Sequence, residues 1–463
     1  MFKKNKVYVY IFKGNKVMLV NLENDSVIKS LIKLGLPSMI AQVVNMLYNL
    51  IDRIFVSNIG TQALSALGVC FPITLILSSF SALFGMGGAP LSSIKLGEKN
   101  SKDANIIFNQ VIFFLGIIGF ILTIITFIFA KDILLLFGCP DDSLEYAISY
   151  LKIYSLGTIF TLFTLGLNPF INAQGYALIS MSTTLIGAIC NLCLDPIFIY
   201  VLSLGVKGAS IATIISQFIS FIFVITFFLR KKSIYKYNFK EMIPNKIVLS
   251  VILLGLSPFI MQVTESAIQI VFSVCLKKVT NSNSDYTATM TILLSALQFV
   301  SYPLNGFSNG CAPFVSYNYG AKNKQRVNKA IKFIAISSLI YTLIVYIVSM
   351  IYPELYAFIF SASENVTLLI KQYGRIFLMG TIMFFAQMSL QNTFIALNQA
   401  KISIFLACLR KVILLIPLCI ILSNIIGATG VFLSEGIADI TAGIITFTTF
   451  ILYSKKVIDK QCD

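Results

Sequence analysis

The chain has 463 residues, of which 57% are hydrophobic and only 12% charged, whereas a soluble globular protein carries about a quarter charged residues. With a mean hydropathy of +0.87, the composition predicts an integral membrane protein and excludes a sizeable soluble domain. The net charge is +16 and histidine is absent. The basic residues lie between apolar segments, so they indicate the orientation of the spans in the membrane rather than a nucleic-acid partner. The lack of histidine excludes a histidine proton relay.

The chain begins with a basic extension, residues 1–25, which lacks a secretory cleavage site and in which Met18 is an alternative start. Hydropathy then predicts an all-α membrane protein of about twelve transmembrane helices, each of roughly 20 residues or more. These predicted spans lie near residues 29–56, 64–90, 105–130, 146–172, 177–202, 207–230, 247–277, 286–314, 327–352, 367–396, 400–424 and 429–453.

The loops between the predicted spans alternate in charge. Lys and Arg concentrate in the N-terminal extension, the 230–246 linker and the 455–463 tail, whereas acids such as Asp141 and Glu354 lie in the opposite loops. By the positive-inside rule, both termini and the linker are cytoplasmic, which requires an even number of spans. We therefore expect a multi-pass protein of the plasma membrane.

An internal repeat divides the chain into two halves. Residues 84–100, FGMGGAPLSSIKLGEKN, align without gaps on residues 307–323, FSNGCAPFVSYNYGAKN, and share a Phe, a Gly, Ala-Pro, a Ser, a Gly and Lys-Asn. Because six spans separate the copies, both halves have the same orientation and are related by a pseudo-two-fold axis along the membrane normal. This repeat predicts an N-lobe over 26–229 and a C-lobe over 247–454, with substrate bound between them.

The first span carries a polar stripe. Gln42, Asn45, Asn49 and Asp52 recur at steps of three and four residues and therefore share one helix face. Such a stripe must face protein or water rather than lipid. An ion pair of Asp52 with the adjacent Arg53, at the end of the span, is the alternative interpretation.

The predicted fifth span contains a carboxylate and a proline within about twenty apolar residues. Asp195 at this depth costs at least ~2.5 kcal/mol, so it indicates a transport pathway or proton relay. Asn191 lies one turn earlier and can donate a hydrogen bond to the carboxylate. Pro196 removes one backbone hydrogen bond and is a candidate hinge. A buried Asp that caps a broken helix is the alternative.

The phrase NLCLDPIFIY at 191–200, followed by LGVKGASIAT at 204–213, resembles the multidrug and toxic compound extrusion (MATE) transporters, and within them the DNA-damage-inducible-F-like branch. The resemblance extends from about Ser26 to Tyr453. It implies two six-helix lobes that form a V around a central cavity. It also implies that the first-helix acid, Asp52, belongs to an N-lobe network whose other members are Tyr48, Asn168, Asn191, Asp195 and Thr213.

Two carboxylates in one poorly solvated pocket repel each other, so a proton or Na+ can exchange there. The candidate Na+ ligands are Asp52, Asn191, Asp195 and Thr213.

Further charges lie in the predicted C-lobe. Glu265 in the seventh span matches the acid that sodium-coupled family members use, but the tenth-span stretch 384–388, FFAQM, lacks the acid that accompanies it in those members. Glu265 is therefore either a cation or substrate site or a buried acid with a partner. Arg410 and Lys411 in the eleventh span predict ion pairs with the two acids of the twelfth span, Glu435 and Asp439.

No GxxxxGK[ST] motif and no histidine-based catalytic or metal cluster is present, so we expect neither an ATP-driven pump nor an enzyme, and no cofactor apart from a coupling ion. The sequence predicts a monomeric secondary antiporter in the lipid bilayer that exports hydrophobic or cationic compounds in exchange for H+ or Na+. One alternative is a lipid-linked or polysaccharide flippase of the same superfamily, against which the twelve spans and the intramembrane acids argue. A receptor or channel is an alternative of another class, and the six-helix repeat argues against it.

Overall fold

The computed structural model describes residues 9–10, 18–57, 59–230, 233–280, 283–360 and 362–462. Apart from two antiparallel two-residue strands in the N-terminal extension, Val9–Tyr10 and Met18–Leu19, the regular structure is helical. Within the described residues, eleven helices are long and apolar enough to cross a membrane, and a bent pair of helices passes the same test together. The predicted all-α membrane fold with about twelve spans is confirmed.

We number the spans in chain order. The first six are Val27–Ser57, Thr61–Gly97, Ser101–Ile128, the bent pair Asp141–Leu156 and Thr158–Ala173, Ala177–Val201, and Gly205–Leu229. The bent pair turns by 54° at Gly157, where the sequence predicts one continuous span. A short helix, Ala130–Leu136, precedes it.

The second six spans follow a linker that contains a 3-10 turn, Phe239–Met242. They are Ile247–Val279, Ser284–Gly320, Lys324–Ile351, Glu364–Ala396, Ala400–Ile426 and Ala428–Cys462. A short helix, Glu354–Ile359, precedes the tenth span. The tenth span consists of Glu364–Leu378, a 3-10 segment Met379–Met383, a π-helical segment Phe385–Leu390 and Gln391–Ala396. The eleventh consists of Ala400–Cys408, a π-helical segment Leu409–Leu415 and Ile416–Ile426.

The repeated segments form the ends of the second and eighth spans, which continue to Gly97 and Gly320. The predicted ends of these spans, at residues 90 and 314, are too early. Hydropathy places them there because the small and polar residues of the repeat are less apolar than a lipid-facing segment, whereas in the structure these residues continue the helix and are buried between helices. The repeated Lys-Asn has a local role in both copies. Lys99 and Lys322 have positive φ values of 61° and 58°, which ends each helix. The following Asn100 and Asn323 side chains then cap the next helix.

The two lobes meet through spans that the repeat relates. The first span packs on the eighth, and the second span packs on the seventh. At the end of the molecule that carries the basic loops, a Cβ on Gly97 would clash with the backbone of Tyr317 and Ala321, and a Cβ on Gly320 would clash with the backbone of Ile94. The glycines of the repeat therefore permit backbone-to-backbone contact between the lobes.

The linker between the lobes is attached to the N-lobe. Tyr235 is 1% exposed, its ring stacks on that of Phe108 with centroids 4.9 Å apart, and its hydroxyl is 2.8 Å from that of Ser92. Burial raises the pKa of Tyr235 well above its usual value. Gln174 accepts hydrogen bonds from Ser233 Oγ and from the backbone N–H of residue 234. Further along the linker, the Gln110 amide donates to the backbone oxygen of Ile243 at 3.0 Å, so the linker is attached to the N-lobe over most of its length.

Candidate functional site

Five candidate N-lobe residues lie around Asp195, and we call them the N-lobe cluster: Tyr48, Asp52, Asn191, Asp195 and Thr213. Asp195 is 1% exposed and Asn191 is 3% exposed. The Asn191 amide donates to Asp195 Oδ1 at 3.0 Å and to Thr213 Oγ1 at 3.5 Å. Asp52 lies within electrostatic range of Asp195, and Tyr48 lies within electrostatic range of both.

Helical geometry explains how the N-lobe cluster forms. Asn191 and Asp195 lie one turn apart on the fifth span, as do Tyr48 and Asp52 on the first, and these two spans pack together. Thr213 comes from the sixth span, which also packs on the fifth. A π-helical segment, Ile197–Val201, begins directly after Pro196. π-helical turns are rare and often lie at functional sites.

Other predicted residues lie outside this cluster. The Asn168 amide donates to the backbone oxygen of Ser180 at 3.2 Å, and Asn168 lines a central cavity, as do Gln42 and Asn45. The grouping of Asn168 with the N-lobe cluster, which the resemblance implies, stays a prediction. The side chains of Asn49 and Arg53 lie outside the described residues.

The central cavity lies between the lobes and has a volume of about 390 Å³. Apolar side chains such as Phe71, Met86 and Met388 line it together with amides from both lobes. Among the described residues that line it, the charged ones all belong to the C-lobe: Glu265, Arg410, Lys411 and Glu435. The cavity is therefore apolar over much of its wall and charged on one side.

These four residues and Asp439 form a connected group that we call the C-lobe charge network. Arg410 Nε donates to Asp439 Oδ1 at 2.5 Å, and Arg410 Nη2 donates to Glu435 Oε1 at 3.0 Å. The predicted ion pairs between the eleventh and twelfth spans are confirmed for Arg410. The Lys411 ammonium instead pairs with the Glu265 carboxylate and donates to the backbone oxygen of Met261 at 2.8 Å. Glu265 is thus a salt-bridged acid.

Sequence reasoning missed the Lys411–Glu265 pair and the contact of Gln387 with Asp439. The Gln387 amide donates to the backbone oxygen of Asp439, and both Gln387 and Lys411 lie in π-helical segments. Charge balance was the available signal, because an unpaired Lys and an unpaired Glu in separate apolar spans are each costly. That balance does not reveal which spans face each other.

The family model MatE matches residues 37–197 and 258–421. The chain belongs to the MatE family. The two matches cover spans one to five and seven to eleven, so the MatE match repeats with the two lobes. Most of the N-lobe cluster and Glu265 lie inside these matches, whereas Glu435 and Asp439 lie beyond the second one.

Individual MatE relatives match over nearly the whole chain. The multidrug export protein MepA of Staphylococcus haemolyticus is 28% identical over 96% of this chain and 97% of its own length. The MepA protein of Staphylococcus aureus strain MSSA476 is 27% identical over 91% and 93%.

Solved structures share the fold. A multidrug resistance MATE family transporter of the MOP superfamily, in an outward-facing conformation, superposes with a TM-score of 0.87 at 22% identity and covers 94% of this chain and 97% of that one. A MOP superfamily transporter from Pyrococcus furiosus, described as having a binding pocket of reverse polarity, gives a TM-score of 0.88 at 21% identity and covers 99% of both chains.

Proposed function

We propose that this MatE protein is a secondary active antiporter of the plasma membrane that exports hydrophobic, cationic compounds. The observation that carries the proposal is the central cavity of about 390 Å³ between the lobes, whose largely apolar wall also carries the carboxylates of Glu265 and Glu435. Cavities of this size accommodate drug-sized molecules. The MepA relatives, which match over nearly their whole length, are named multidrug export proteins.

The charges of the cavity favour cations over anions. Each of its two basic side chains is already paired with at least one acid, Lys411 with Glu265 and Arg410 with Glu435 and Asp439. When all five are ionised, the C-lobe charge network has an excess of one negative charge. An organic cation in the cavity would therefore meet a favourable potential next to apolar and aromatic side chains.

The N-lobe cluster is the proposed coupling site, with H+ or Na+ as the ion. Its polar groups are two carboxylates, an amide, a phenol and a hydroxyl, which can share a proton or supply the oxygen ligands of a hard cation. Occupancy by either ion would neutralise the repulsion between Asp52 and Asp195. The π-helical turn after Pro196 would let the fifth span respond to that change.

Alternating access would then close and open the contacts between the repeated glycine segments at the cytoplasmic end. Both termini lie on that side in this proposal, and one chain is sufficient for transport. We also propose, from the motif at 191–213 alone, that the protein belongs to the DNA-damage-inducible-F-like branch.

The test is efflux of a fluorescent organic cation from proteoliposomes, with H+ and Na+ gradients imposed separately. Asp195→Asn should abolish efflux driven by the coupling ion, whereas Glu265→Gln should retain it, because Glu265 already pairs with Lys411. If only Glu265→Gln is inactive, coupling lies in the C-lobe. If neither gradient moves the dye, the proposal of cation export is refuted.

A flippase for lipid-linked anions is the second candidate, and the presence of Arg410 and Lys411 in the cavity wall favours it. Their pairing with acids argues against it, since neither offers a free positive charge. Transport of a lipid-linked anionic substrate by the same proteoliposomes, with no movement of the organic cation, would establish it.

A further inference from the structure

The C-lobe charge network and the neighbouring Gln387 contain acceptors that lack donors. Within the described residues, Glu435 Oε2, Asp439 Oδ2 and Gln387 Oε1 are buried and have no hydrogen-bond partner. These residues are 3%, 0% and 2% exposed. The Gln387 amide nitrogen donates to the backbone oxygen of Asp439, which fixes the orientation of the amide, so its oxygen can only accept. Three unsatisfied acceptors in one buried region indicate a missing donor.

The charge count indicates the same deficit. The groups that face Glu435 and Asp439 are Arg410 and Lys411 of the eleventh span and Glu265 of the seventh; the Cys419 thiol also faces Glu435. Lys411 donates to Glu265 and Met261, and Arg410 donates to one oxygen of each twelfth-span acid. With two cations and three carboxylates, one negative charge in the network has no counter-charge, and an isolated buried charge is costly.

We propose that Glu435 and Asp439 together bind one exchangeable proton, at a site separate from the N-lobe cluster. One proton neutralises the excess charge and supplies an O–H donor to an acceptor that lacks one. Glu435 lines the central cavity, so the proton enters there, while Asp439 lies one turn further along the same helix.

The site lies in the opposite lobe from Asp52 and Asp195 and beyond the residues matched to the family model. It provides a second proton that an incoming organic cation can displace from the cavity wall. That contribution to antiport rests on the proposed function, whereas occupancy of the site by a proton does not.

The experiment is infrared difference spectroscopy of the protein in liposomes, which detects the carbonyl stretch of protonated carboxylic acids during a pH titration. In the Asp52→Asn/Asp195→Asn double variant, which leaves the C-lobe unchanged, we expect one protonated carboxyl per protein to remain at neutral pH. Adding Glu435→Gln should remove it, and Glu435→Asp should retain it. Size-exclusion elution and thermal unfolding check that each variant is folded.

Two results would overturn the proposal. The first is that the N-lobe double variant, in which the C-lobe is unchanged, has no protonated carboxyl at neutral pH. The second is that replacing choline chloride by sodium chloride at constant pH removes the signal, because sodium would then be the occupant. Neither measurement involves transport, so failure of the efflux assay leaves this test intact.

Discussion

Replacing Gly97 by Ala should shift the protein away from the conformation described above. A Cβ at Gly97 would overlap the carbonyl oxygen of Tyr317 and would lie 2.8 Å from the backbone nitrogen of Ala321, whereas ordinary contacts begin at 3.4 Å. The neighbouring atoms are backbone and cannot rotate away, so the second and eighth spans must separate by more than half an ångström. Overpacking of this kind costs about 1–3 kcal/mol, and each ~1.4 kcal/mol is a factor of ten in an equilibrium constant. The closed arrangement should therefore become roughly 5- to 140-fold less favoured relative to one in which the lobes part.

Distances between spin labels on Lys99 and Lys322 would measure this shift. The matched control is Gly68→Ala in the same span, since a Cβ at Gly68 meets nothing within 4 Å and Ala favours the helix. We expect a longer label distance for Gly97→Ala and an unchanged one for Gly68→Ala. Equal distance distributions in the wild type and the Gly97→Ala variant would show that these contacts do not hold the lobes together.

Two further predictions concern the cavity and the linker. Lys411→Met should tighten binding of a fluorescent organic cation about tenfold or more, because it frees the Glu265 carboxylate to bind the cation. A hydrogen bond to a charged group contributes about 1.5–3 kcal/mol. A Lys411→Met/Glu265→Gln double variant that binds the cation equally tightly would contradict this prediction. Tyr235→Phe should lower the free energy of unfolding by about 1 kcal/mol through loss of the hydrogen bond to Ser92. Tyr235→Ala should lower it by about 3–5 kcal/mol through the cavity that it leaves. Thermal unfolding in detergent measures both, and similar values for the two variants would argue against packing of the ring on Phe108.

Features that depend on local spacing could be predicted from the sequence. Apolar segments long enough to cross the bilayer as helices determine the spans. The gapless repeat predicts that a pseudo-two-fold axis relates the lobes. The Asn191–Asp195 hydrogen bond follows from a four-residue step on one helix. The sequence shows the repeated Lys-Asn but does not predict its role as a helix end followed by a cap, because that role depends on the backbone conformation of Lys99 and Lys322.

Partners on different spans were decided only by the tertiary structure. Which helices are neighbours, and how each is rotated, depends on side-chain packing and on close approaches such as those at Gly97 and Gly320. That rotation brings Lys411 to Glu265, an outcome that helical periodicity does not reveal. Apolar spans that contain charged residues therefore predict charges inside the membrane, and packing determines which of these charges neutralise one another.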